Sequence, residues 1–286
     1  MFSLSRKTPT PPAKGLQLEL SGPVLVEALE QISAGCDVSG GIDRFVLALK
    51  LRRGVFVDML IEQEDGPLTA ENFAALCMFM PTVRRRIGPY LQEGPFELLR
   101  DAISALLAEK HDVSTADARI QTFCEAFPQD KAHRWVRDLA AEILHAVDPE
   151  RYPLMCRWVW DTKTNTGVLR EIWHEDIDSE TLKIGDEYLT FLTLRAELSQ
   201  FLSNHGIVQE VQAYVDLLCA QVYALYISAQ GGSYLRADFS SAEDPMAHVR
   251  RLLGLDGVQP KSNQSFSSTK NGAAEALALI EGTDGS

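Results

Sequence analysis

The chain has 286 residues, 45% of them hydrophobic and 23% charged, which is too balanced for a chain disordered throughout and enough to bury a sizeable core. Its net charge of −13 repels phosphate backbones and anionic bilayers, so composition argues against nucleic acid and membrane as partners and favours a protein partner or a cation. The five cysteines are widely spaced and mostly set among apolar residues, the pattern of free buried thiols and not of a disulfide framework.

Residues 1–16 are proline-rich and basic (Arg6, Lys7, Lys14) and lack periodicity, so a mobile arm is expected there. Its prolines interrupt the apolar stretch that an export signal needs. The longest apolar run, Leu217 to Ile227, is far shorter than the roughly 20 residues of a bilayer span, and a cytoplasmic protein is the expectation. A helical domain is expected over 17–256. Gly35 to Gly41 is glycine-rich but lacks the Lys-Ser/Thr of a phosphate-binding loop, and it follows a helical pattern instead of a strand.

Phe45 to Ile61 fits two strands around Arg53-Gly54 or one helix carrying a glycine; Leu, Ala and Lys in its first half favour the helix. Helices are expected at Gly94 to Lys110, with Phe96, Leu99, Ile103, Leu106 and Leu107 on one side, and at Ser114 to Phe127, where Ser114 and Asp117 have capping-box spacing. In Lys131 to Val147 an apolar stripe (Trp135, Leu139, Ile143, Val147) opposes Arg134, Asp138, Glu142 and His145, which predicts a surface helix with one buried face. Pro149 and Pro153 stop it. Asp186 to Asn204 reads as amphipathic helix, closed by Asn204-His205-Gly206.

Ile207 to Gln230 is apolar around most of its circumference and is expected to be the central helix. Gly231-Gly232 ends it, and Asp244-Pro245 opens a last short helix. Residues 257–286 read as a flexible tail in which 273–280 has the pattern of two helical turns, marginal in isolation.

Three of the four tryptophans fall in Arg157 to Asp176. The turn-rich Asp161 to Gly167 between β-branched and aromatic residues predicts a small β-hairpin over about 155–174, with Trp160 opposite Val168 and Trp158 opposite Arg170. Exposed on that hairpin, Trp158, Trp160, Arg170 and Trp173 would form a partner-binding surface; packed down, the same rings would complete the core.

Two stretches, Glu142 to His145 and Glu171 to His174, read Glu-x-x-His, the spacing by which metal-binding bundles present ligands from one helix face. Glu142, His145, Glu171 and His174 are thus the metal candidates. Against a metal centre, the second motif lies in the expected strand, where an odd separation sends its side chains to opposite faces. The first lies on the polar side of its helix, so no metal or other cofactor is expected. Asp161, Glu171, His174 and Glu175 form the densest acid and imidazole cluster and are the candidates for acid–base chemistry, although a solvated loop has the same composition. No Gly-x-Ser-x-Gly, His-Glu-x-x-His or Cys-x-x-Cys occurs. Arg84-Arg85-Arg86, with Lys50, Arg52 and Arg53 earlier, is the one concentration of positive charge in the body, expected to pair with the chain's own acids or to edge an acidic partner.

Leu144 to Pro153, LHAVDPERYP, resembles a helix-to-loop segment of helix-hairpin-helix, DNA-glycosylase-like proteins. The likeness covers ten residues, and the glycine-rich hairpin that grips a phosphate backbone in that family is missing. Cys156-Arg157-Trp158 stands where an acidic residue often follows, so the resemblance implies no functional residue.

The sequence therefore predicts a mainly α protein, one helical domain around 207–230 with a hairpin insertion and flexible termini. Its expected function is that of a non-enzymatic interaction protein, an adaptor or regulatory subunit using the tryptophan surface. The alternatives are an enzyme or metal-binding protein centred on 161–176, and a nucleic-acid-processing protein using Arg84 to Arg86.

Overall fold

A computed structural model describes residues 18, 20–38, 41–63, 66–173, 181–230 and 246–256. The expected arm at 1–16, the tail with 273–280, Gly231-Gly232 and Asp244-Pro245 lie outside these residues. Among the described residues the fold is mainly helical, with ten α-helices and no strand, and no helix is long and apolar enough to cross a membrane.

Helix α1 (Gly22–Val38) takes in Gly35, Cys36 and Asp37, so most of the expected glycine-rich loop is helix. Helix α2 (Ile42–Val57) continues through a π turn at Asp58–Glu62 until Gln63 turns left-handed (φ 48°), and Phe45 to Ile61 is thus helical. Phe45, Ala48, Val55 and Phe56 recur on its inner face, which fixes the choice of helix over strand pair. Thr69 caps α3 (Ala70–Met78) by accepting from the Asn72 N–H at 3.1 Å.

Helix α4 (Pro95–Ala108) buries the five residues that its spacing predicts. A 3-10 turn at Val113–Thr115 leads into α5 (Ala116–Glu125). The expected capping box does not form. Asp112 accepts from the Ser114 N–H (3.0 Å), and Asp117 reaches across to the Tyr188 N–H (2.8 Å), at the start of a later helix.

Helix α6 (Trp135–Val147) departs most from expectation, because every residue in it except Arg137 is buried. Its apolar side packs on α4 and α5, and α2 also packs against it. Ala140, Ala141 and Ala146 are small enough to let neighbouring backbones come close.

The expected hairpin is not formed. The chain reverses at an isolated antiparallel bridge between Asp161 and Thr166, but the second arm is a helical turn, α7 (Val168–Glu171). The Val168 N–H donates to Trp158 O (3.1 Å) and the Leu169 N–H to Val159 O (3.0 Å), which displaces the expected register. Val168, Leu169 and Ile172 are all fully buried, and neighbours facing the same core suit a helical turn, whereas a strand would send them to opposite faces. Gly167 makes the corner at φ 123°, where an added Cβ would lie 2.7 Å from Val159 O.

Helix α8 (Tyr188–Asn204) ends at Gly206 (φ 84°), with Ile207 N–H returning to Leu202 O at 3.0 Å. After left-handed Glu210 (φ 51°), α9 (Val211–Gln230) packs against α1, α2, α7, α8 and α10 (Ala247–Leu252).

Candidate functional site

Asp138, Glu142 and His145 recur at intervals of four and three, so they share one face of α6. That polar face is inside the protein, contrary to expectation, with the three residues 2%, 3% and 5% exposed. Each meets a partner from a different segment. Asp138 accepts from the backbone N–H (2.9 Å), Nε (3.0 Å) and Nη2 (2.6 Å) of Arg157. Glu142 Oε2 accepts from Nη2 of Arg52 on α2 at 2.8 Å, and the same nitrogen reaches Phe79 O at 3.2 Å. Burial outweighs that guanidinium and pushes the Glu142 carboxyl above the usual range.

His145 lies with Nδ1 2.8 Å from the Tyr152 carbonyl oxygen and Nε2 3.1 Å from Asp216 Oδ2 on α9. A carbonyl can only accept, so Nδ1 carries the hydrogen. The second contact is then a hydrogen bond only if a further proton lies between Nε2 and Oδ2.

At its C-terminal end the charged stripe opens into a groove of about 510 Å³ walled by α2, the end of α6 and the start of α9. Lys50 and Glu210, both exposed, neutralise each other across it at 2.6 Å. Arg53 on α2 and Glu150 beyond α6 also line it, and neither makes an ion pair among the described residues. Arg52 forms part of the wall, 5% exposed, and its Nε, shut off from solvent, has no hydrogen-bond partner among the described residues. The N–H groups of Val211, Gln212 and Ala213 open a 20-residue helix and meet no acceptor among the described residues. A helix start of this kind carries roughly half a positive charge.

A second depression of about 330 Å³ lies at the other end of α6, lined by Arg134, Arg137, Arg157, Asp161 and Asp186 among others. Its arginines are already engaged. Arg134 pairs with Asp161, Arg137 donates to Met155 O (2.9 Å), and Arg157 holds Asp138.

The structure separates the residues that the sequence groups. Trp158 and Trp160 belong to the core and do not form the exposed surface expected of them. Trp160 Nε1 donates to Ile184 O (3.2 Å) and Gly185 O (3.1 Å), while the Trp158 ring lies 5.7 Å from that of Tyr223. Trp173 is half-buried and bridges Leu20, and Arg170 is half-buried. The reason is plain in the sequence: Val159, Val168 and Leu169 between the rings are as apolar as any core segment.

Asp161 has both carboxylate oxygens engaged, Oδ2 by Arg134 and Oδ1 by the Lys163 N–H at 3.0 Å. Glu171 is half-buried, its carboxyl raised by burial against the opposing charge of Arg170. His174 and Glu175 lie outside the described residues. Among the described residues no group of three or more His, Cys, Asp or Glu is arranged to hold a metal. Glu142 and His145 serve protein partners. Arg84 of the basic patch chelates Asp256 through both Nη atoms (2.9 and 3.0 Å), while Arg85 and Arg86 are exposed.

Sequence reasoning missed Arg52, Asp216 and the α9 start as parts of one site. The available signal was an arginine inside the apolar run of α2 and an aspartate inside that of α9, each too apolar in context to face water. The chain matches no protein-family model, curated protein or solved structure.

Proposed function

We propose that this chain acts by binding and not by catalysis, as an adaptor or regulatory subunit, and that the groove between α2, α6 and α9 is where it binds. One observation carries the reading: Arg53, which is in no ion pair among the described residues, and the N–H groups that open α9, which meet no acceptor there, line the same open groove. Polar groups left unmet in a concave site are what fixes the orientation of a bound group. The tryptophan surface no longer serves, since Trp158 and Trp160 are core. The enzyme alternative at 161–176 loses Asp161, whose carboxylate is fully engaged.

The test is a groove-filling substitution, Ala213→Trp, compared with wild type in thermal-shift screening against a metabolite and peptide library. Ala213 is half-exposed in the groove wall, so folding is expected to survive, and circular dichroism checks it. Compounds that raise the melting temperature of wild type and leave the variant unmoved support the reading. A library that stabilises neither protein, or both equally, removes it.

A further inference from the structure

A chain with 40 acidic and 27 basic side chains has acids enough for every arginine. Among the described residues each arginine meets a carboxylate, a carbonyl oxygen or another group, with three exceptions: Arg53, Arg85 and Arg86. The last two are neighbours in sequence, and both are exposed. They stand on a helical turn in which the Arg84 N–H donates to Met80 O (2.9 Å) and the Ile87 N–H to Val83 O (3.2 Å). Val83 and Ile87 are buried, so the turn is anchored at both and carries Arg84, Arg85 and Arg86 between them. Like charges side by side repel unless a counter-charge joins them. Arg84 has one: Asp256, from beyond α10, is chelated by its two Nη atoms and stands with Oδ2 3.5 Å from Arg251 Nε. This surface therefore already seats a carboxylate from a distant part of the chain.

We propose that the turn carrying Arg84, Arg85 and Arg86 is a docking surface for an acidic protein segment, one with several carboxylates along its length. Consecutive residues on a helical turn are about 100° apart, so three of them span about 200° and a single anion reaches at most two. A partner that engages the whole turn must run across it, as a segment with acids at successive positions does. Each guanidinium can take a carboxylate through two N–H groups, in the way that Arg84 takes Asp256. A nucleic-acid duplex also repeats its charge, about one per 1.7 Å, but it runs on past the turn over a protein whose net charge is −13. At physiological salt the pull of the turn fades over about 8 Å, so a short anionic partner gains from it and escapes the wider repulsion. None of the three arginines lines the groove between α2, α6 and α9, so this surface stands independently of that site.

The experiment is fluorescence anisotropy of the full chain with a labelled peptide, Asp-Glu-Asp-Leu-Glu-Asp. The same peptide with Asn and Gln in place of its acids, and a labelled DNA duplex of about 20 base pairs, are run beside it. The acidic peptide is expected to bind about tenfold or more tightly than its amide counterpart, and to weaken as sodium chloride is raised. Arg85→Gln combined with Arg86→Gln removes two exposed charge pairs and should weaken the peptide roughly fivefold. Lys131→Gln combined with Lys183→Gln removes two exposed charges outside the turn and should leave its affinity where it was. All four side chains are exposed, so both double variants should fold as wild type does, which circular dichroism checks. No binding of the acidic peptide up to about 1 mM overturns the proposal. An affinity unmoved by the arginine pair, or lowered equally by the lysine pair, does the same, because the turn would then not be the docking surface. A duplex that binds more tightly than the peptide also overturns it, and gives the turn to nucleic acid.

Discussion

Arg52→Met removes the only countercharge within hydrogen-bond reach of Glu142 among the described residues, while keeping most of the side-chain volume. The carboxylate that remains is on a residue 3% exposed, with Oε2 stripped of its 2.8 Å partner. Breaking a buried pair from one side costs about 3–5 kcal/mol, because the surviving charge stays desolvated. Loss of the hydrogen bond to Phe79 O and of the guanidinium over the Phe56 ring, 5.1 Å from its centroid, adds roughly 1 kcal/mol. Urea unfolding followed by circular dichroism should therefore show a loss of about 4–6 kcal/mol at neutral pH. Arg52→Met with Glu142→Leu should recover most of it, since an apolar pair of similar volume is neutral or better. Acid should narrow the gap. The Glu142 carboxyl is raised above its ordinary 4.5 in the folded protein, so its contribution is full below that value and lost as pH rises through the folded value. Removing Arg52 raises the folded value further and extends that loss upward, so the variant differs least from wild type near the acid end. A single variant within about 1 kcal/mol of wild type, or a double variant no better than the single, would refute the account of a desolvated pair.

The remaining expectations are simpler. Trp160→Ala should cost about 3–5 kcal/mol in thermal or urea unfolding, while Trp158→Phe, which has no indole hydrogen bond to lose, should cost under about 2; equal effects would contradict the difference in their surroundings. Gly254→Ala should loosen α10, since Gly254 holds φ 68° and a Cβ there would lie 1.9 Å from Phe79 O; unchanged hydrogen exchange at 247–252 would count against it. In native protein at mild alkaline pH, alkylation read by mass spectrometry should reach Cys124 first, because the other four thiols are buried and Cys36 is pushed up to about 12 by burial and Asp37. Equal labelling of all five would refute that order.

How far the sequence reaches depends on whether a pattern is local. Helix α4 was legible because its five apolar residues at helical spacing need only one partner surface to be buried. The pattern of α2 resolved an ambiguous stretch for the same reason. The polarity of α6 was also legible, with Asp138, Glu142 and His145 on one face, but its exposure was not. A charged face reads as solvated unless counter-charges arrive from elsewhere, and those come from residues 52, 157 and 216, separated from it by up to 90 positions in the chain. The hairpin failed for a related reason: its turn chemistry was right at Asp161 to Thr166, yet burial of consecutive Val168 and Leu169 decided the second arm. Of the candidate site, Glu142 and His145 were visible as a motif, but the groove beside them needs three helices to exist.

The three pairs along α6 have a consequence for the groove. A helix buried on nearly every side by Ala, Leu, Ile and Val would have little preference for one rotation about its axis over another. Asp138, Glu142 and His145 remove that freedom, because each polar side chain tolerates burial only when turned toward its partner. The Glu142–Arg52 pair sets α6 against α2, and the His145–Asp216 pair sets it against α9. Those are the walls that carry Arg53 on one side and the free N–H groups of Val211 to Ala213 on another. The residues that specify the packing of α6 therefore also fix the separation of the groups proposed to bind. Replacing all three pairs with apolar residues should leave stability equal or higher, yet let the groove walls shift, and binding should fall while the fold persists.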